Sequence, residues 1–122
     1  MGKTVLIVDD SVSMRQMVAF TLQGAGFDVI EAGDGKEAVS KLNGGAKPNL
    51  VITDLNMPKL TGIQLTEKVR EKYSAEELPI LLITTQTDKD ETAEAYKAGI
   101  SDVIYKPFTK EHLKATIDKL IS

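Results

Sequence analysis

Val5-Leu6-Ile7-Val8-Asp9-Asp10, four apolar residues running directly into two acids, is the stretch on which the fold turns. Rich in β-branched residues and apolar on both faces, it reads as a strand covered by helices on each side, the kind found in parallel sheets. Leu50-Val51-Ile52 and Ile80-Leu81-Leu82-Ile83 repeat the pattern. Asp28-Val29-Ile30-Glu31 and Asp102-Val103-Ile104-Tyr105 are more mixed and predict shorter strands nearer the sheet edges. Helical spacing fills the gaps, through Met14, Met17, Val18, Leu22 and Ala25, then Ala38, Val39 and Leu42, then Leu65 and Val69, and finally Leu113, Ile117 and Leu120. Glu91 to Ala98 is helical by propensity but weakly apolar, which predicts the least anchored element. Gly26, Gly45 and Gly99 fall just past helix ends, where a positive φ is commonly needed. Strand and helix alternate five times, so the chain predicts right-handed crossovers and a doubly wound α/β sheet.

The 122 residues fit one compact domain, 1–122, and the expectation is that no effector domain is attached. Cysteine is absent, which excludes a disulfide framework, a thiolate zinc site and a catalytic thiol. Fifteen basic against 18 acidic residues give a net charge of −3, offering no field for a nucleic-acid backbone. The first apolar run is too short for a signal peptide or a membrane span, and Leu6 stands where a myristoylation signal wants Ser or Thr. The expectation is a soluble, cytoplasmic protein.

In a doubly wound sheet the ligand site lies at the carboxyl ends of the strands. Those ends carry Asp9 and Asp10, Asp54, Thr84 and Lys106. Taken singly each has a plain explanation; the acidic pair, for instance, would serve as a helix cap with Ser13 and Gln16 as its capping box. Four strands delivering such groups to one rim make coincidence a poor account. Three carboxylates against one lysine leave the rim negative, and carboxylates about 4 Å apart repel by roughly 4 kcal/mol at an effective dielectric near 20. A divalent cation removes the conflict, and oxygen-only ligands favour Mg²⁺, which keeps part of its water shell. Metal, lysine and hydroxyl can each hold one oxygen of a phosphoryl group while a carboxylate attacks in line. Asp54, the single acid at the end of the central run, is assigned as nucleophile, and the Asp9-Asp10 pair as cation holder.

The chain resembles the receiver domain of two-component response regulators over its whole length. The resemblance rests on Val5-Leu6-Ile7-Val8-Asp9-Asp10, on Ile52-Thr53-Asp54-Leu55-Asn56-Met57-Pro58 with Gly62, on Ile83-Thr84, and on Tyr105-Lys106-Pro107-Phe108. It implies the flavodoxin-like (βα)5 fold with sheet order 2-1-3-4-5. It further implies that Asp54 accepts a phosphoryl group from a histidine kinase. One Mg²⁺ would be ligated by Asp10, Asp54 and the backbone carbonyl of Asn56, with Asp9 holding a metal-bound water, while Thr84 and Lys106 contact the phosphoryl oxygens. The Lys106–Pro107 bond is expected to be cis. The protein would catalyse only its own phosphorylation and dephosphorylation and would otherwise be no enzyme. His112, the sole histidine, lies in a polar context and is read as a surface residue, so the phosphodonor comes from outside.

The sequence departs from the family where an aromatic usually stands three positions before the lysine, for here that residue is Val103. Tyr105, two residues on, shares its strand face and is read as a partial substitute, with switching run through Thr84 and the loop after it. Asn56 and Gln86 occupy positions that resemble family determinants of dephosphorylation rate, and being short and neutral they predict an accessible acyl phosphate. Thr85, bulkier than the usual Ala or Gly, argues the other way.

The predicted output face combines the helix bearing Tyr96 and Lys97, the fifth strand and the last helix with Lys110 and Lys114. Ser11, Val12, Arg15 and Val18 with Pro107 and Phe108 are where the resemblance puts kinase docking. The functional reading is a stand-alone receiver of the chemotaxis type, a monomer able to dimerise on phosphorylation, whose target is a flagellar motor switch or similar protein. The alternatives are a phosphorelay intermediate serving a histidine phosphotransfer protein and, from another class, an Asp-nucleophile phosphatase. A flavin carrier is disfavoured because only 5% of the chain is aromatic.

Overall fold

The structure is a computed structural model that describes residues 2–57, 59–85 and 89–121. In chain order, among the described residues, its elements are β1 (Thr4–Val8), α1 (Val12–Gly24), β2 (Asp28–Ala32), α2 (Gly35–Asn43), β3 (Leu50–Asp54), α3 (Gly62–Arg70), β4 (Ile80–Thr84), α4 (Lys89–Ala98), β5 (Asp102–Tyr105) and α5 (Lys110–Ile121). The strands form one parallel sheet in the order β2-β1-β3-β4-β5, so the two mixed strands are its edges and the three apolar runs its centre.

Alternation along each central strand splits the core in two. Val5 and Ile7 of β1 join Leu50, Ile52, Leu81, Ile83 and Ile104 against α1 and α5, through Val18, Leu22, Leu113 and Ile117. Leu6 and Val8 join Val51, Ile80 and Leu82 against α2, α3 and α4, through Ala38, Leu65, Val69 and Ala95. Both faces are buried, which explains why these strands do not alternate between apolar and polar residues.

Two local expectations change. The apolar stripe of α1 runs through Val18, Ala19, Thr21 and Leu22, while Met17 is turned outward, because the stripe follows the sheet contact rather than the summed hydropathy. The cap of α1 is Ser11, whose hydroxyl accepts from the Met14 amide, so the acidic pair with Ser13 and Gln16 forms no capping box. A complete capping box occurs instead on α3, where Thr61 and Gln64 satisfy each other's backbone amides. Gly26, Gly45 and Gly99 all take positive φ, as their placement beyond helix ends demands.

Candidate active site

Asp9 follows β1 directly, Asp54 ends β3, Thr84 ends β4 and Lys106 follows β5, so parallel strands deliver all four to one rim. The side chains of Asp9, Asp10 and Asp54 each offer an oxygen lying within 4.8 Å of the others. Asp9 is buried, Asp54 is half-buried, and Asp10 is exposed. The Lys106 Nζ stands 3.8 Å from Asp54 Oδ2. The other carboxylate oxygen, Oδ1, accepts from the Leu55 amide at 2.8 Å, which orients the group and leaves Oδ2 on the lysine side.

Burial pushes the Asp9 carboxyl above its usual range, and the negative charges of Asp54 and Asp10 push the same way; the Ser11 amide and Lys106 pull it back. The Ser11 amide donates to Asp9 Oδ1 at 2.9 Å. Desolvated acids crowded together, with hard oxygen donors and neither His nor Cys, suit a divalent cation such as Mg²⁺. Asp9, Asp10 and Asp54 could hold it with their carboxylates.

The floor of the site rests on two residues whose role no strand-end rule reveals. Thr53, wholly buried, donates its hydroxyl to the Asp54 carbonyl at 2.9 Å. Gly62 packs against that same carbonyl so closely that a Cβ there would stand 2.3 Å from it. Gly62 was legible in the sequence only as a turn glycine; its requirement is space beside Asp54. The peptide bond Lys106–Pro107 is cis, and the Lys106 amide donates to the Thr84 carbonyl at 2.9 Å.

The chain's residues 5–118 match the family model of the response regulator receiver domain. This protein is a member of the response regulator receiver family. The receiver is 43% identical over 117 residues to the chemotaxis protein CheY1 of Helicobacter pylori, a match covering 95% of this chain and 94% of that protein. It is 40% identical to the CheY homologue of Campylobacter jejuni, with 95% of this chain and 90% of that protein covered. Among solved structures, the chemotaxis protein CheY4 of Vibrio cholerae superposes with a TM-score of 0.92 at 39% identity, covering 99% of the receiver and 100% of that chain. Receivers of this type are signalling proteins that bind Mg²⁺ at an acidic Asp cluster, and the geometry above supplies such a cluster.

Around the rim, Asn56 and Thr85 are exposed, while Gln86 and Pro58 lie outside the described residues. Val103 packs into the core facing α2, α3 and α4. Tyr105 is on the same strand face, as period-two alternation requires, and its hydroxyl meets Thr92 Oγ1 of α4 at 3.0 Å. Tyr96, also on α4, donates to Asp102 Oδ1 at 3.5 Å, and Lys119 of α5 meets Asp102 Oδ2 at 2.6 Å. Tyr96, Tyr105 and Lys119 thus share one face. Lys110 and Lys114 do not: they line the cleft between α1 and α5 with Phe20, Thr21 and Gly24. Lys119, not Lys110 or Lys114, is thus the α5 lysine that meets β5, through Asp102.

The residues expected to dock a kinase differ in exposure. Val18 is buried, and Arg15 is held by hydrogen bonds, whereas Val12, Met17 and Phe20 are exposed, Phe20 to 73%. Among the described residues no helix is long and apolar enough to cross a membrane.

Proposed function

We propose that this receiver is a phosphoacceptor of a chemotaxis-type two-component pathway that takes a phosphoryl group from a histidine kinase onto Asp54. The observation that carries the reading is the juxtaposition of Asp54 Oδ2 with Lys106 Nζ beside the Asp9 and Asp10 carboxylates. Asp10 and Asp54, with the Asn56 carbonyl, would hold Mg²⁺. The ion supplies Lewis-acid neutralisation of charge on the phosphoryl oxygens.

The Asp54 carboxylate forms the new P–O bond while the P–N bond of the donor phosphohistidine breaks, its electron pair returning to the imidazole nitrogen, which takes up a proton. Lys106 and Thr84 hold two phosphoryl oxygens, and the Leu55 amide fixes the attacking carboxylate so that little reorientation is needed. Exposure of Asn56 and Thr85 supports an acyl phosphate reachable by water, with Asn56, Thr85 and Gln86 setting its rate of loss.

Switching then runs from Thr84 into the loop before α4, with Tyr105 replacing the aromatic that Val103 is not. The face of Tyr96, Tyr105 and Lys119 is the surface read by the downstream protein, and 38–43% identity to CheY proteins supports a target in the chemotaxis apparatus. The exposed apolar side chains of α1 with Phe108 form the docking surface for the kinase.

Intact-mass measurement of wild type and Asp54→Asn after incubation with acetyl phosphate, with Mg²⁺ or with excess chelator, tests this reading. One phosphoryl adduct requiring both Asp54 and Mg²⁺ is expected. An equal adduct on Asp54→Asn would overturn the assignment.

A further inference from the structure

We propose that Arg15 is a positioning residue for the acidic pocket, holding the Asp9 backbone so that the Asp9 and Asp10 carboxylates are set for a divalent cation. The proposal rests on the reading of that pocket as a Mg²⁺ site. Arg15 is the fourth residue of α1, and helical side chains lean toward the helix N-terminus, so its guanidinium is carried back over the end of β1. There Nη1 donates to the Asp9 carbonyl at 2.6 Å and Nε to Glu31 Oε1 at 2.9 Å. The side chain is only 17% exposed.

With this bond every polar group of Asp9 is held. Its amide donates to the Ala32 carbonyl at 3.1 Å, its carboxylate accepts from the Ser11 amide, and its carbonyl accepts from Arg15. The peptide linking Asp9 to Asp10 is therefore fixed at its oxygen, and the exposed Asp10 side chain departs from an anchored backbone. Without that anchor, two mutually repelling acids would relax apart.

The placement also runs against the local field. A cation in the first turn opposes the helix dipole, and α1 carries no acid in that turn. Two hydrogen bonds offset this, one to a carboxylate on β2 and one to the acid pocket's own backbone. A salt bridge to Glu31 alone would tie α1 to β2 without touching the site; it is the second bond that couples Arg15 to the acids.

The test is calorimetric titration of MgCl₂ into wild type, Arg15→Met, Arg15→Lys and Glu31→Gln, with urea unfolding of each in chelator. Loss of a partner that orients metal ligands typically weakens affinity by about tenfold or more, and that is expected for Arg15→Met. Arg15→Lys, which keeps the charge and one donor, should fall between, and it decides the matter if Arg15→Met does not fold. Glu31→Gln should stay within about twofold of wild type, since the bond to Asp9 survives. Raising Mg²⁺ should narrow the gap between Arg15→Met and wild type in phosphorylation by acetyl phosphate, because the hydrogen bonds of Arg15 go to Asp9 and Glu31 and act through the cation site. Wild-type affinity in both Arg15 variants, or an equal weakening in Glu31→Gln, would overturn the positioning role while leaving the Mg²⁺ reading intact. Absence of saturable binding in wild type would overturn both.

Discussion

Asp9, placed at the proposed cation site, works against the stability of the protein that carries it. Its carboxyl is raised by burial and by the neighbouring charges of Asp54 and Asp10, so between the ordinary aspartate value of 3.8 and the raised native one the folded chain binds more protons than the unfolded chain. Stability in the absence of metal therefore falls as pH rises through that window, and the cost persists above it. Asp9→Asn keeps a side-chain oxygen for the Ser11 amide and sheds the charge. At neutral pH in chelator the variant should be more stable than wild type, an advantage that disappears below the window. Mg²⁺ should reverse the order, stabilising wild type more, because a ligand bound only by the native state adds stability with concentration. Urea curves at acid and neutral pH, with and without Mg²⁺, check this, and a less stable Asp9→Asn at neutral pH in chelator would contradict it.

At the scale of elements, α4 is the weak member. Among its described side chains only Ala95 is buried, whereas α3 buries Leu65, Thr66 and Val69. Its attachment to the neighbouring strand includes the hydroxyl pair Thr92–Tyr105 and the Tyr96–Asp102 contact, both polar and solvent-facing. Elements with little apolar burial open at low free-energy cost. Amide exchange of α4 should accordingly be the fastest of the helices, and Tyr105→Phe, which keeps the ring and removes the hydroxyl, should accelerate it further while leaving β1, β3 and β4 unchanged. Protection of α4 equal to that of α3 would count against both the weak anchoring and the switching role given to Tyr105.

Across the whole molecule, the apolar packing that carries stability and the exposed face proposed for signalling occupy different places. The sheet centre is packed on both faces, and Leu82, in the cluster facing α2, α3 and α4, is 1% exposed. Leu82→Ala should cost about 3 kcal/mol by removing buried methyl groups and leaving a cavity. Tyr96→Ala on the exposed face should cost far less, near the roughly 0.5 kcal/mol usual for surface sites, and urea denaturation distinguishes the two. The element order, the two edge strands, the strand-end acids and the glycines at helix ends were all legible in the sequence, because period, apolarity and turn chemistry are local properties that persist whatever surrounds them. Where α1 turns Met17 outward, why Gly62 must lack a Cβ, how Thr53 and Arg15 grip the backbone of the acids, and which lysines of α5 share a face with Tyr105 were not legible. Those depend on which chain segments come together across the sheet, and only the packed structure brings them within hydrogen-bond distance or van der Waals contact.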